Sequence, residues 1–179
     1  MSTFRVVQFN MQFAQGWALE APHDGEIDFA ATLAEIRRHD ADIILLQEVE
    51  RAQPQGTQPN PPPNYTRLCA ELEVGDSWFA YPKADDRELP FGIGLAILSS
   101  TPLRDKTRID LPSPQIAFEF EGQTKTPTDR LLIGAKTTIQ GRDVQLFNTH
   151  LLAFFMLGAN SEQYPQQREI VASWRAASP

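Results

Sequence analysis

Three residues in this chain of 179 close short apolar runs and carry side chains able to handle a cation or a phosphoryl group: Asn10, Glu48 and His150. The runs are Val6-Val7-Gln8-Phe9-Asn10, Ile43-Ile44-Leu45-Leu46-Gln47-Glu48 and Gln145-Leu146-Phe147-Asn148-Thr149-His150. A carboxylate delivered by a buried strand is costly to desolvate unless it is paired or binds a cation. Glu48 therefore reads either as a metal ligand or as the partner of Arg51. Magnesium takes oxygen ligands and keeps several waters, so Glu48 and the amide oxygen of Asn10 would suffice to hold it. Asn10 has the alternative of forming a turn. His150 is either an acid/base or phosphate-polarising imidazole, or a histidine hydrogen-bonded at a strand end.

Other groups read more simply as structural. His23 falls in a loop and His39 at a helix end, and both are expected in solvent. Asp85, Asp86, Arg87 and Glu88 read as an exposed mixed-charge loop, and Asp129-Arg130 as a surface ion pair, with a guanidinium near phosphate as the other option. Ser99 has no His and Asp arrangement suited to nucleophilic catalysis. Gly92-Ile93-Gly94 lacks the later glycine and the strand-to-helix setting of a dinucleotide loop.

The elements that must position these residues follow from periodicity. Residues 4–9 read as a strand, and residues 28–38 as a helix with Phe29, Leu33 and Ile36 on one face and Asp28 as its N-cap. Residues 43–46 form a strand buried on both faces. The proline-rich stretch 51–64 is a long loop. A short helix at 65–72 and strands at 78–81, 95–98, 104–111, 116–120, 131–139 and 144–147 follow, the last two joined by a hairpin turn around Gln140-Gly141-Arg142-Asp143. Residues 166–176 return to helical spacing. The result is an α+β chain, mainly antiparallel, with no repeat and no dividing linker.

Composition narrows the function. With 16 Lys and Arg against 23 Asp and Glu, the net charge is −7, which argues against gripping nucleic acid through a broad basic face. The single cysteine, Cys69, requires no oxidising compartment and reads as a structural buried thiol. No stretch reaches the roughly 20 apolar residues of a membrane span, and no charged and hydrophobic leader precedes Phe4, so the chain is expected to be cytoplasmic.

Taken together and in order, four segments resemble the endonuclease/exonuclease/phosphatase superfamily, the deoxyribonuclease-I-like fold. Residues 4–10 resemble its first strand with a metal-proximal asparagine. Asp42-Ile43-Ile44-Leu45-Leu46-Gln47-Glu48-Val49 resembles the strand ending in Gln-Glu-Val. Gly94-Leu95-Ala96-Ile97-Leu98-Ser99 resembles its central Gly-x-Ala-Ile-Leu-Ser strand, and Asn148-Thr149-His150-Leu151 its Asn-Thr-His-Leu segment. The resemblance implies a four-layer α/β/β/α sandwich and a metal-dependent phosphoesterase. In that reading Glu48 and Asn10 hold magnesium or manganese, and His150 acts on the phosphate of an ester whose class stays open.

The family's later Gly-Asp-x-Asn and Ser-Asp-His segments have no counterpart here, so residues 1–179 are expected to be one domain cut short before its last strands. On that expectation the second sheet is largely missing and its apolar face is covered by self-association or by a further C-terminal segment. An inactive domain acting as a binding module is the competing reading.

Overall fold

The computed structural model describes residues 3–17, 20, 24–85, 87, 92–120 and 122–177. The first strand, β1 (Val6–Asn10), runs parallel to β2 (Ile43–Arg51), and α1 (Phe29–Arg38) makes the crossover between them. Asp28 caps that helix as expected, its side chain accepting from the Ala31 backbone N–H at 2.9 Å. Next come α2 (Pro63–Glu71), β3 (Asp76–Ala80) and β4 (Gly92–Ser99). Both strands pair antiparallel, giving a sheet ordered β1-β2-β4-β3. The second helix starts two residues before the expected position because proline suits a first helical turn, where its missing N–H has no partner to lose.

The strand β2 is buried on both faces, as its unbroken apolar run requires. Ile44 and Leu46 join Phe29, Leu33, Ile36 and Leu68 in a core under the helices. Ile43 and Leu45 face the other way, into a core shared with Leu131, Ile133, Ala135 and Leu146 of a second sheet. Leu103 also joins this second core.

That second sheet contains β5 (Arg104–Leu111), β8 (Arg130–Ile139) and β9 (Arg142–Thr149), in the order β5-β8-β9. Between them a small ribbon pairs β6 (Phe118–Phe120) with β7 (Gln123–Lys125). The ribbon keeps only the last three residues of the strand expected over 116–120 and pairs them with residues 123–125. The β8–β9 hairpin closes on Gln140 and Gly141, with φ of 53° and 75°. Two consecutive positive φ values are what a tight primed turn demands, and Gly141 meets that demand without strain.

Part of the second sheet and of its outer cover is present. Three strands are present, and α3 (Gln166–Ala177) lies on their outer side. Its Trp174 ring meets Phe147 edge-on at 4.3 Å between centroids. The same ring lies so close to Gly134 that a β-carbon there would stand 2.5 Å from it. The layers are therefore α1 and α2, the first sheet, the second sheet, and α3, which is the α/β/β/α order expected. Among the described residues no helix is long and apolar enough to cross a membrane.

Candidate active site

Register brings the polar strand ends together. Asn10 lies opposite Gln47 in the parallel β1–β2 pair, one residue from Glu48. The β2–β4 register slips between Gln47 and Glu50, and Glu48 takes a φ of 50° inside that bulge. Such a backbone costs a non-glycine residue on the order of 1–2 kcal/mol, and it re-aims the carboxylate towards the second sheet. There His150 follows β9, and the antiparallel pairing of Leu132 with Thr149 places Arg130, at the start of β8, beside it.

The outcome is a compact polar group. The Asn10 side-chain N–H donates to Glu48 Oε1 at 3.0 Å, and His150 Nδ1 stands 3.7 Å from the same oxygen. The three residues gather at one end of the sandwich, with His150 contributed by the opposite sheet rather than by a neighbouring strand. Arg130 lines the same cavity as Glu48 and His150. Its charge is felt by both. Burial pushes the Glu48 carboxyl above its ordinary value, against the opposing pull of the Asn10 hydrogen bond and of Arg130. Burial first and the Arg130 charge second lower the His150 imidazole to about 4, so at neutral pH the ring is uncharged.

Beneath this group the two sheets are tied by a buried amide pair. Asn148 donates to the backbone carbonyls of Leu46 on β2 and Ala96 on β4, at 2.8 and 2.9 Å, and accepts from the side chain of Gln47. Gln47 and Asn148 are buried, and every one of these bonds joins β9 to the other sheet.

Several sequence readings change. Arg51 is not the partner of Glu48; its guanidinium lies over the Phe13 ring, 5.6 Å from the centroid. The oxygen of Asn10 accepts from the Gln12 backbone N–H at 3.1 Å while its N–H₂ faces Glu48. Asn10 in this orientation braces the carboxylate. The turn reading of Asn10 survives in the bond to Gln12. Asp129 accepts from the Ser113 backbone N–H at 2.9 Å, and Arg130 lines the cavity of Glu48 and His150. Asp85 and Arg87 are not an exposed loop pair. Arg87 Nε donates to both Asp85 oxygens at 2.9 and 3.0 Å, and the Asp85 side chain is only 18% exposed. His39 pairs with Glu35 at 3.1 Å at the end of α1. The thiol of Cys69 is half-buried against Ser77 Oγ at 3.5 Å. Ser99 is buried and bonded to Thr101, and Gly92 to Gly94 lie in β4 with no phosphate-loop turn. His23, Asp86 and Glu88 fall outside the described residues.

Among the described residues no cluster of three or more His, Cys, Asp and Glu side chains is placed to hold a metal ion. One desolvated carboxylate with an imidazole beside it would leave most of a divalent cation's shell to water.

The sequence matches the profile of the Endonuclease/Exonuclease/phosphatase family over residues 7–151, a span that reaches from β1 to just beyond His150. The chain belongs to that family. No curated protein matches the sequence. An endonuclease/exonuclease/phosphatase family protein from Leptotrichia buccalis C-1013-b is similar in structure with a TM-score of 0.57 at 11% identity, covering 96% of this chain and 62% of that one. A functionally unknown conserved protein from Enterococcus faecalis V583 gives 0.52 at 20% identity, covering 82% of this chain and 52% of that one. The likeness is one of fold, and the chain spans between half and two thirds of these two proteins.

Within the endonuclease/exonuclease/phosphatase frame, the residues that sequence reasoning missed are Asn148 and Gly92, while Arg130 lines the site, as the second of its two readings allows. A signal existed for Arg130, since it opens the strand that must pair with the one ending in His150. No sequence signal pointed to Gly92 as the neighbour of Glu48, because that contact depends on the bulge.

Proposed function

We propose that the chain carries the phosphoryl-binding part of a divalent-metal-dependent phosphoesterase, in which water displaces an alcohol from phosphorus. The observation that carries this reading is the approach of His150 Nδ1 to within 3.7 Å of Glu48 Oε1 in a cavity that Arg130 also lines. Glu48 is the residue that would hold magnesium or manganese, with Asn10 fixing its orientation. When bound, the ion supplies charge neutralisation at the phosphoryl oxygens. Arg130 offers a planar pair of donors to the same group. His150, neutral at physiological pH, can donate a hydrogen bond to a phosphoryl oxygen without adding a buried charge. The cytoplasm, where thiols stay reduced, suits this chemistry and the half-buried Cys69.

The donor set also favours a second reading, in which these 179 residues bind a phosphate ester without turning it over. Glu48 is the only carboxylate lining the cavity among the described residues, so none of the other described carboxylates is placed to orient and deprotonate an attacking water. Loss of a general base alone costs roughly 10²- to 10⁴-fold. The test is an assay of the chain in magnesium and in manganese, against nucleic acid and an aryl phosphodiester, beside Glu48→Ala. Turnover abolished by Glu48→Ala supports the enzyme reading. Background turnover with manganese binding that Glu48→Ala removes supports the binding module, and neither binding nor turnover defeats both.

A further inference from the structure

The cavity that opens onto Glu48 and His150 has a second wall of opposite character. Trp17, Leu151 and Met156 stand around it with 68%, 46% and 39% of their surfaces exposed, and Phe120 also lines it. Large apolar side chains scattered singly over a surface need no explanation. Their convergence on one opening that already holds polar groups is the pattern of a ligand site. They also come from separate elements: Trp17 from the stretch after β1, Phe120 from the β6–β7 ribbon, and Leu151 and Met156 from the segment after β9. No single amphipathic helix or strand accounts for the grouping.

Charge decides what could occupy the space. Arg130 is the only cationic side chain lining the cavity among the described residues, and the chain carries a net charge of −7. A polynucleotide gripped through several phosphates needs several such cations. One guanidinium, with one cation at Glu48, matches one phosphoryl group, and the remainder of the ligand then meets aromatic and aliphatic surface. The volume, about 340 Å³, is also that of a small-molecule site.

We infer that this wall is a subsite for the alcohol portion of a small phosphate ester, and that the portion is uncharged and apolar, an aromatic ring or short alkyl chain lying against Trp17 and Met156. The inference rests on the reading of Glu48, Arg130 and His150 as a phosphoryl site. Burying a group of phenyl size is worth about 1.5–3 kcal/mol, which is roughly ten- to a hundredfold in affinity.

The experiment is calorimetric titration of the full chain, in manganese, with methylphosphonate, hexylphosphonate and phenylphosphonate. The phenyl and hexyl compounds should bind at least about tenfold more tightly than the methyl compound. The double variant Trp17→Ala with Met156→Ala, whose sites are exposed enough to spare the fold, should bring that ratio close to one. Equal affinities for the three compounds, a ratio that survives the double variant, or no binding of any probe would overturn the subsite. So would a short single-stranded oligonucleotide that binds more tightly than phenylphosphonate. Benzyl alcohol binding as tightly as phenylphosphonate would separate the two ideas, upholding the apolar subsite and defeating the phosphoryl reading.

Discussion

A β-carbon placed on Gly92 would stand 2.5 Å from Glu48 Cβ and 2.9 Å from Glu48 Oε2, so the absence of a side chain on β4 is what leaves room for the carboxylate on β2. The contact lies between backbone-anchored atoms, and rotation of Glu48 alone cannot relieve it. Gly92→Ala is expected to cost about 1–3 kcal/mol of stability, as overpacked sites do. It should also weaken manganese binding by about tenfold, equivalent to roughly 1.4 kcal/mol. Paramagnetic titration alongside a thermal melt checks both. Unchanged manganese affinity would show that Glu48 does not hold the ion.

Glu48→Gln keeps the shape of the side chain and removes a charge that burial disfavours. The folded carboxyl has a raised pKa, so the charged form destabilises the native state, and stability falls as pH rises from the ordinary value to the folded one. Without divalent metal at pH 7, Glu48→Gln should therefore be at least as stable as the parent. A gain on the order of 1 kcal/mol would raise Tm by about 2–4 °C. Manganese should raise the Tm of the parent and not that of the variant, which calorimetric melts with and without metal will test.

His150 should titrate near 4 rather than near its ordinary 6.5. Because the folded ring binds its proton less tightly than the unfolded chain, this group's contribution is complete above about 6.5 and is lost as pH falls towards about 4. Imidazole chemical shifts followed by NMR give the midpoint directly. Arg130→Ala should raise it while leaving it below the ordinary value, since burial is the larger cause. A midpoint unaffected by Arg130→Ala would remove Arg130 from the electrostatics of the site.

Asn148→Ala should be the most destabilising of these changes, at about 2–4 kcal/mol. It strips the buried carbonyls of Leu46 and Ala96 of a shared donor and leaves the Gln47 amide without its acceptor. Urea unfolding measures the loss. A cost below about 0.5 kcal/mol, typical of surface substitutions, would mean that the amide pair is dispensable.

Local signals were the legible ones. The Asp28 cap, the doubly buried run from Ile43 and the turn at Gln140 and Gly141 each follow from a few adjacent residues, and the structure has them where expected. The convergence of Asn10, Glu48 and His150 was also foreseeable, since each closes an apolar strand. What escaped the sequence depends on register. A slip between Gln47 and Glu50 decides which way Glu48 points, and that offset is not written in composition or periodicity. The charged pair Asp85 and Arg87 misled for a related reason. Charged residues in a loop usually face solvent, and only the tertiary setting shows that these two hold each other in a half-buried place.

The tie made by Asn148 has a further consequence. Glu48 rides on one sheet and His150 on the other, so their 3.7 Å separation measures how well the two halves of the sandwich are seated. Solvent entering that seam would part the two residues while each strand kept its own ladder of hydrogen bonds. Chemistry at this site should accordingly fail earlier along a denaturant gradient than backbone circular dichroism does, with the site serving as the most sensitive gauge of the molecule's own assembly.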